Sequence, residues 1–234
     1  MIVLVAGRFR PARSSMRCCG FSTPEHSGTC CRSIAPTTRP SIAALQQWCP
    51  NEVLREALTE LANTLRKQSA IDESEYFIDA TFASAKDGGD EFGPTGRRKG
   101  VKIMAIVDRH GLPLAISTHA ASHHEVTLVQ LSFELYMIAA KPQDLIGDEA
   151  YDSDRLDAEL CEDGVEMIAP HRSTLAVCNH AQDGGHLRHY QRRWTVERCF
   201  AWLQWHRRLL VRWDYYPHNV FGFVQIAAIS ILPK

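Results

Sequence analysis

Hydrophobic and polar positions recur with different periods along the chain, and these periods predict its secondary structure. Within residues 41–68, four leucines recur at intervals of three or four positions: Leu54, Leu58, Leu61 and Leu65. This spacing is typical of an amphipathic helix. Pro50 and Asn51 interrupt the stretch, and Asn51 is a candidate N-cap for the part that follows.

Three strands are predicted next. Residues 75–82 form a short apolar run, and residues 101–108 and 112–119 alternate and are rich in β-branched side chains. Only an Arg-His-Gly linker separates the last two, which predicts a hairpin and three antiparallel strands in all. The glycine-rich segment 83–100 predicts a flexible loop.

Helices and strands alternate in the second half of the chain. The pattern predicts, in order, a helix, a strand, a helix, a strand and two more helices: 126–140, 144–147, 151–163, 165–169, 190–208 and 220–232. With the three strands before them, these elements predict an α/β fold in which helices flank a mixed sheet.

Residues 190–208 contain no Pro or Gly and are long enough for about five helical turns. A helical wheel gives this stretch one apolar face: Val196, Cys199, Phe200, Leu203 and Leu210. Glu197 beside that face is the only acid between His186 and Val211. On this helix alone we favour a salt-bridged surface glutamate over a metal ligand, because charged residues beside a core face are common.

Two aspartates upstream change that balance. Asp79 lies at the end of the first predicted strand, and Asp148 lies at the end of the short strand 144–147. Two strand-end aspartates followed by a glutamate on a helix are the carboxylates that a two-metal phosphoryl-transfer site requires. Mg²⁺ prefers such oxygen ligands and usually takes only a few carboxylates, so water and substrate phosphate complete its shell.

The local sequences around these acids resemble those of DDE transposases from bacterial insertion sequences. The carrying motifs are Ile-Asp-Ala-Thr at Asp79, Asp-Glu-Ala-Tyr-Asp-Ser at Asp148, and Tyr190-x2-Arg193-x3-Glu197. The resemblance covers about residues 46–232 and is greatest to the insertion-sequence-five group. It implies an RNase-H-like fold in which Asp79, Asp148 and Glu197 bind Mg²⁺ (or Mn²⁺) and catalyse cleavage and strand transfer.

The resemblance also implies double-stranded DNA as the substrate, both as transposon ends and as target. A homodimer is implied because two DNA ends must be held together. We expect DNA contacts from basic and polar residues of the glycine-rich loop and the last helices: Arg97, Arg98, Lys99, Lys102, Tyr190, Arg193, Gln204, Arg207 and Arg208. Gln204 is a departure, since the family often has Lys seven residues after the glutamate.

The composition fits a chain with one sizeable core, since 45% of its 234 residues are hydrophobic. The formal net charge of −1 does not by itself indicate a nucleic-acid binder. The charges are nevertheless segregated: residues 144–166 carry ten acids and one base, whereas residues 186–212 carry seven arginines and one acid. This asymmetry predicts a polyanion-binding face.

Residues 1–42 differ from the rest, because they are rich in Arg, Ser, Thr, Pro, Gly and Cys and lack sustained periodicity. We therefore divide the chain into an irregular segment, 1–42, and a catalytic domain, 43–234. The helical region with which the resembled family binds DNA ends is not recognisable here. The segment is either a truncated or frame-altered remnant or an unfamiliar DNA-binding arm that uses its arginines: Arg8, Arg10, Arg13 and Arg17.

The eight cysteines do not require disulfides, so a reducing cytoplasm is the expected location. The adjacent pairs at 18–19 and 30–31 lack the usual spacing of zinc ligands. Cys161 and Cys199 lie in predicted helices and are expected to be buried. The longest apolar run, 220–232, is too short to span a bilayer, so we expect no membrane partner.

Three functions remain open at this stage. The first is a transposase, the second is a catalytically impaired DNA-binding remnant of one, and the third is a metal-dependent nuclease on the same fold. Binding to specific DNA ends separates the first from the second. Joining of a 3′-hydroxyl, rather than hydrolysis alone, separates the first from the third.

Overall fold

The central strand of the sheet is β1 (Tyr76–Ala85). In this computed structural model, residues 40–86, 93–94, 99–138, 141–170 and 190–233 are described. β1 pairs antiparallel with β3 (Lys99–Val107) from Phe77–Val107 to Ser84–Gly100. The consecutive buried side chains of β1 and β3 are explained by this position, because a strand inside the sheet is covered on both faces.

Five further strands complete a mixed seven-stranded sheet in the described part of the chain. On one side, β2 (Gly93–Pro94) and β4 (Pro113–Ala120) pair antiparallel with β3. On the other side, β5 (Asp144–Ile146) pairs parallel with the start of β1, and β6 (Glu166–Ile168) pairs parallel with β5. The short β7 (Val211–Arg212) pairs parallel with the far end of β1.

Helices pack against this sheet and against one another. In chain order they are α1 (Pro40–Trp48), α2 (Val53–Lys67), α3 (Val129–Glu134), α4 (Asp154–Glu162), α5 (Trp194–Gln204), α6 (Arg207–Leu210) and α7 (Pro217–Ile231). α5 packs on β1 and β3, whereas α7 contacts α1, α2, α5 and β4. The predicted mixed sheet with flanking helices and its three antiparallel strands are therefore confirmed.

No helix in the described segments is long and apolar enough to cross a membrane. The final helix, α7, is apolar because it lies in the core. Val224, Ala227 and Ile231 on this helix are fully buried. Burying its apolar side chains in the core stabilises the domain.

The prediction of one continuous helix over 190–208 is wrong. α5 begins at Trp194 and ends at Gln204, and a turn at 205–206 separates it from α6. The chain turns there because Leu209 is buried in the core and Val211 pairs with Ser84 of β1. Tertiary contacts outweigh the helical propensity of the segment, and Leu210, expected on the apolar face, is 47% exposed.

Two predictions for the helices before and after the hairpin are also wrong. Asn51 does not cap α2, because its side-chain amide donates to the carbonyl of Gln47 at 2.8 Å and Glu52 is the N-cap residue. The helix expected over 126–140 consists of a 3₁₀ turn, Glu125–Leu128, and the short α3. The chain leaves the helix so that the N–H of Met137 can donate to the Leu114 carbonyl at 2.9 Å.

The expected loop over 83–100 is shorter than predicted. β1 continues to Ala85 and β3 begins at Lys99, because the two strands keep their antiparallel register as far as Ser84–Gly100. Cys199 is fully buried as expected, but Cys161 is exposed because it lies on the outer face of α4. The predictions for residues 1–39, including those for the paired cysteines and the N-terminal arginines, concern residues outside the described ranges.

Candidate active site

The parallel pairing of β1 with β5 brings the two predicted aspartates close together. The register joins Phe77 with Ile146, and Asp79 and Asp148 each follow two residues later. Asp148 lies just beyond the end of β5, whereas Asp79 is the fourth residue of β1, so the prediction that Asp79 lies at a strand end is wrong. β1 continues past Asp79 because it stays paired with β3 as far as Ser84, and Asp148 comes beside Asp79 because β5 pairs only with the start of β1.

Arg193 joins the two carboxylates. Its Nη2 donates to Asp79 Oδ2 at 2.9 Å and lies 3.8 Å from Asp148 Oδ2. Its Nη1 donates to the hydroxyl of Tyr190 at 3.4 Å. One cationic nitrogen therefore lies between two carboxylate oxygens that come from segments far apart in sequence.

The second oxygen of each aspartate is held by the backbone. Asp79 Oδ1 accepts from the N–H of Ala80 at 2.7 Å, and Asp148 Oδ1 accepts from the N–H of Ala150 at 2.9 Å. These bonds fix both side chains so that their Oδ2 atoms face the same region. The residues offer two hard oxygen ligands beside each other, and this donor set fits Mg²⁺ or Mn²⁺.

Burial dominates the electrostatics of the pair. Asp79 is only 8% exposed, and burial raises the pKa of its carboxyl group, although the hydrogen bonds from Arg193 and Ala80 oppose the shift. Burial alone would lower the pKa of Arg193, but the hydrogen bond and charge of Asp79 raise it above its ordinary value. The guanidinium is therefore the cation that offsets these acids.

Glu197, the third predicted carboxylate, lies in the first turn of α5, four residues after Arg193. Its side chain is exposed to solvent. Within the described ranges no three His, Cys, Asp or Glu side chains lie close enough to hold a metal ion together. The structure thus brings Asp79 and Asp148 together and places Glu197 on the adjoining helix, outside a three-residue cluster.

The side chains of the predicted DNA-contacting residues differ in their exposure and in their contacts within the chain. Lys102 is largely buried, and its ammonium group lies 3.0 Å from Glu125 Oε1 and donates to the His123 carbonyl at 2.9 Å. Gln204 Nε2 donates to Thr81 Oγ1 at 3.5 Å, and Arg208 pairs with Asp214 at 3.3 Å.

Of the other predicted residues, two are exposed, one contacts Arg193 and two lie outside the described ranges. Lys99 and Arg207 are exposed, and Tyr190 contacts Arg193. Arg97 and Arg98 lie outside the described residues.

Tyr151 was not selected as a site residue from the sequence. Its side chain is fully buried, and a Cβ at Gly147 would lie 2.7 Å from its ring. Burial raises the pKa of Tyr151 well above its ordinary value, and the charges of Glu125, Asp79 and Asp148 add to the effect. The ring thus packs under the segment that presents Asp148, and the signal that could have found it is the Asp148-x2-Tyr151 spacing.

Residues 71–232 match the transposase DDE domain family. The chain belongs to this family. Among curated proteins, a Burkholderia cepacia protein named for the transposase of insertion sequence element IS402 is 33% identical over 130 residues. That match covers 52% of this chain and 57% of the relative, so the aligned region is little more than half of either protein.

Two solved structures are distantly similar to the fold. One is the piggyBac transposase synaptic complex with hairpin DNA, with 11% identity and a TM-score of 0.44 over 67% of this chain and 45% of that one. The other is the catalytic core domain of BIV integrase, with 13% identity and a TM-score of 0.35 over 68% of this chain and 80% of that one.

The family match confirms the DDE resemblance inferred from the motifs. The finer assignment to the insertion-sequence-five group stays a prediction, and so do the roles of the individual site residues.

Proposed function

We propose that this chain catalyses metal-dependent cleavage and strand transfer on double-stranded DNA at the ends of an insertion sequence. The observation that carries the proposal is the convergence of Asp79 and Asp148 on Arg193, at 2.9 Å and 3.8 Å. Two carboxylates fixed side by side, one on β1 and one just after β5, with an arginine between them, are suited to phosphoryl transfer. Membership of the transposase DDE domain family supports DNA as the substrate.

Asp79 and Asp148 would hold the divalent cation, Mg²⁺ or Mn²⁺. Two carboxylates suffice, because Mg²⁺ commonly takes one or two and completes its shell with water and phosphate oxygens. When bound, the cation supplies activation of a water or 3′-hydroxyl nucleophile and offsets charge on the phosphate and the leaving oxygen.

Glu197 is the third carboxylate of the proposal. It lies one helical turn after Arg193 and is exposed, so its side chain can rotate toward Asp79 and Asp148 when the substrate binds.

The basic and polar residues around the acids would orient the DNA. The planar guanidinium of Arg193 carries donors that match phosphate oxygens, and the hydroxyl of Tyr190 lies next to it. Lys99 and Arg207 are exposed cations suited to the phosphate backbone. Arg97 and Arg98 belong to the same proposal, as does a homodimer that holds two DNA ends together.

Nicking of a supercoiled plasmid tests the first chemical step. The wild type is incubated with Mg²⁺ or Mn²⁺ beside Asp148→Ala and the matched control Asp154→Ala, an exposed aspartate at the start of α4. We expect metal-dependent nicking by the wild type and the control and none by Asp148→Ala. Equal nicking by all three proteins would show that Asp148 is not catalytic.

Strand transfer needs a second measurement. A labelled oligonucleotide with a free 3′-hydroxyl is added, and its covalent attachment to the plasmid is followed on a denaturing gel. Attachment supports the transposase. Nicking without attachment favours a nuclease on the same fold, and DNA binding without nicking favours a catalytically impaired remnant.

A further inference from the structure

Three aromatic side chains between β7 and α7 are exposed to solvent. Trp213 is 60% exposed, Tyr215 is 56% exposed and Tyr216 is 50% exposed. We call residues 213–216 the aromatic loop. The rings of Tyr215 and Tyr216 meet edge to face with centroids 5.4 Å apart, and Tyr216 stacks on His218 at the same distance. Clustered exposed aromatic residues are typical of binding surfaces.

A buried arginine fixes the backbone of this loop. Arg212 is 1% exposed, and its guanidinium donates to the carbonyls of Asp214 at 2.9 Å and Tyr215 at 2.7 Å. Burial of a charged group is unfavourable unless hydrogen bonds compensate it, so these carbonyls are held firmly in place. The aromatic rings are therefore presented from an ordered frame.

A second arginine holds the side of the loop. Arg208 pairs with Asp214 at 3.3 Å and lies over the ring of Phe223 at 4.7 Å. Asp214 is the acid of the loop, and this pair neutralises it. Arg207 beside it is exposed and has no acidic partner among the residues that the structure describes. The aromatic loop thus follows a positively charged segment of the chain.

The loop is connected to the strand that carries Asp79 of the proposed active site. β7, which leads into the loop, pairs with Ser84 and Ala85 at the end of β1. Ser84 follows Asp79 by five residues on the same strand, which is about 17 Å at 3.4 Å per residue. This distance corresponds to about five base steps of a DNA strand.

We propose that Trp213, Tyr215 and Tyr216 form a stacking platform for unpaired DNA bases at least about five base steps from the cleaved phosphate. Exposed aromatic rings that follow the exposed cation Arg207 along the chain suit a single strand, because every base has a π-face and every nucleotide carries a negative charge. A second copy of the chain suits the surface less well, since twofold pairing of the loop would bring two basic segments together. The platform's place in the reaction rests on the proposed function.

Equilibrium binding without divalent metal tests the platform. Fluorescence anisotropy of the full chain is measured in EDTA with labelled oligothymidylate of about 15 nucleotides, within the range of single-strand site sizes, and with a blunt duplex of equal length. We expect Trp213→Ala to weaken single-strand binding about tenfold and duplex binding much less. The control Trp48→Ala changes a 43% exposed tryptophan on α1 and should leave both affinities unchanged.

Two conservative variants separate stacking from general hydrophobicity. Trp213→Phe keeps a π-face and should retain most of the single-strand affinity, whereas Trp213→Leu keeps apolar area alone and should lose it. If Trp213→Ala does not fold, as judged by circular dichroism, Tyr216→Ala is used in its place with the same expectation. Equal effects of Phe and Leu, or equal loss on duplex and single strand, overturn the proposal.

Sedimentation decides between DNA and a second copy. A wild type that is a dimer, a Trp213→Ala variant that is a monomer and unchanged DNA affinity would make the loop an interface between copies and overturn the platform. Because binding is measured without metal, its outcome is independent of nicking. A wild type that does not nick the plasmid but loses single-strand affinity on Trp213→Ala counts against the proposed function alone. A wild type that nicks the plasmid but keeps its single-strand affinity on Trp213→Ala counts against the platform alone.

Discussion

The Nη2 atom of Arg193 lies 2.9 Å from Oδ2 of Asp79, and this ion pair joins residues 114 positions apart. Asp79 is too buried for water to solvate its charge fully, so the arginine is the main compensation for a carboxylate inside the fold. The pair therefore links the stability of the domain to the site where we propose that catalysis occurs.

We expect Arg193→Ala to lower the free energy of unfolding at pH 7 by about 1–3 kcal/mol, because it leaves a buried carboxylate without its partner. Urea denaturation in EDTA measures the change. The control is Arg155→Ala, which removes an 87% exposed arginine paired with Glu159 and should leave the free energy of unfolding nearly unchanged. Equal effects of the two substitutions would show that burial of Asp79 does not matter.

Gln204→Lys should strengthen binding to duplex DNA. It restores the cation that the family often has at this position and gives up only the long 3.5 Å hydrogen bond to Thr81. We expect the slope of log affinity against log salt concentration to steepen by about one charge. Fluorescence anisotropy at several salt concentrations measures it. Gln47→Lys on α1 is the matched control, and the same change there would mean a non-specific effect of net charge.

Gly111→Ala should destabilise the protein by about 2 kcal/mol, more than Gly164→Ala, which should cost about 1 kcal/mol. Both glycines have positive φ, +80° and +74°. A Cβ at Gly111 would also lie 3.1 Å from the carbonyl oxygen of Thr195, whereas a Cβ at Gly164 would meet nothing within 4 Å. Midpoints of urea denaturation compare the variants. Equal losses would mean that the contact between the hairpin turn and α5 tolerates the added methyl group.

His119 should make the protein less stable as the pH falls below about 6.5. Burial, together with the positive charges of His123 and Lys102, lowers the pKa of His119 below 6.5 in the folded state. Between pH 6.5 and that lowered pKa, the unfolded chain therefore binds more protons than the folded chain. The free energy of unfolding decreases as the pH is lowered through this window.

The variant His119→Gln isolates this contribution. The difference in free energy of unfolding between wild type and variant should be constant above pH 7 and shrink as the pH falls below about 6.5. Urea denaturation between about pH 5 and 8 measures the difference, and NMR titration of the ring gives the pKa directly. A difference that does not depend on pH would contradict the prediction.

The sequence was sufficient where the determining interactions are local. The hairpin follows from alternation on either side of a three-residue turn, and the place of Asp148 follows from the apolar strand that ends just before it. The end of α5 at Gln204 could not be predicted in the same way. It depends on Val211 pairing with Ser84, 127 positions earlier, and no periodicity within the segment encodes that contact.

The sequence also does not predict which charged side chains are paired or buried in the fold. The sequence predicts Lys102 as a DNA-contacting residue, but it does not reveal that the ammonium group also contacts Glu125 and the His123 carbonyl. Arg212 was counted only as one of several arginines, although it is the largest fully buried side chain in the described residues. Charge patterns in sequence show where cations are abundant; folding decides which of them water can reach.

The order in which the strands occur along the chain has a consequence for biosynthesis. Ribosomes make the chain from its N-terminus, so Asp79 and Asp148 emerge well before Arg193, Glu197 and β7. A nascent chain that ends before residue 190 holds two of the proposed carboxylates without the arginine that lies between them and without the strand that completes the edge of β1. The ability to cut DNA would therefore arise only after the segment that carries Arg193, Glu197 and β7 has been made.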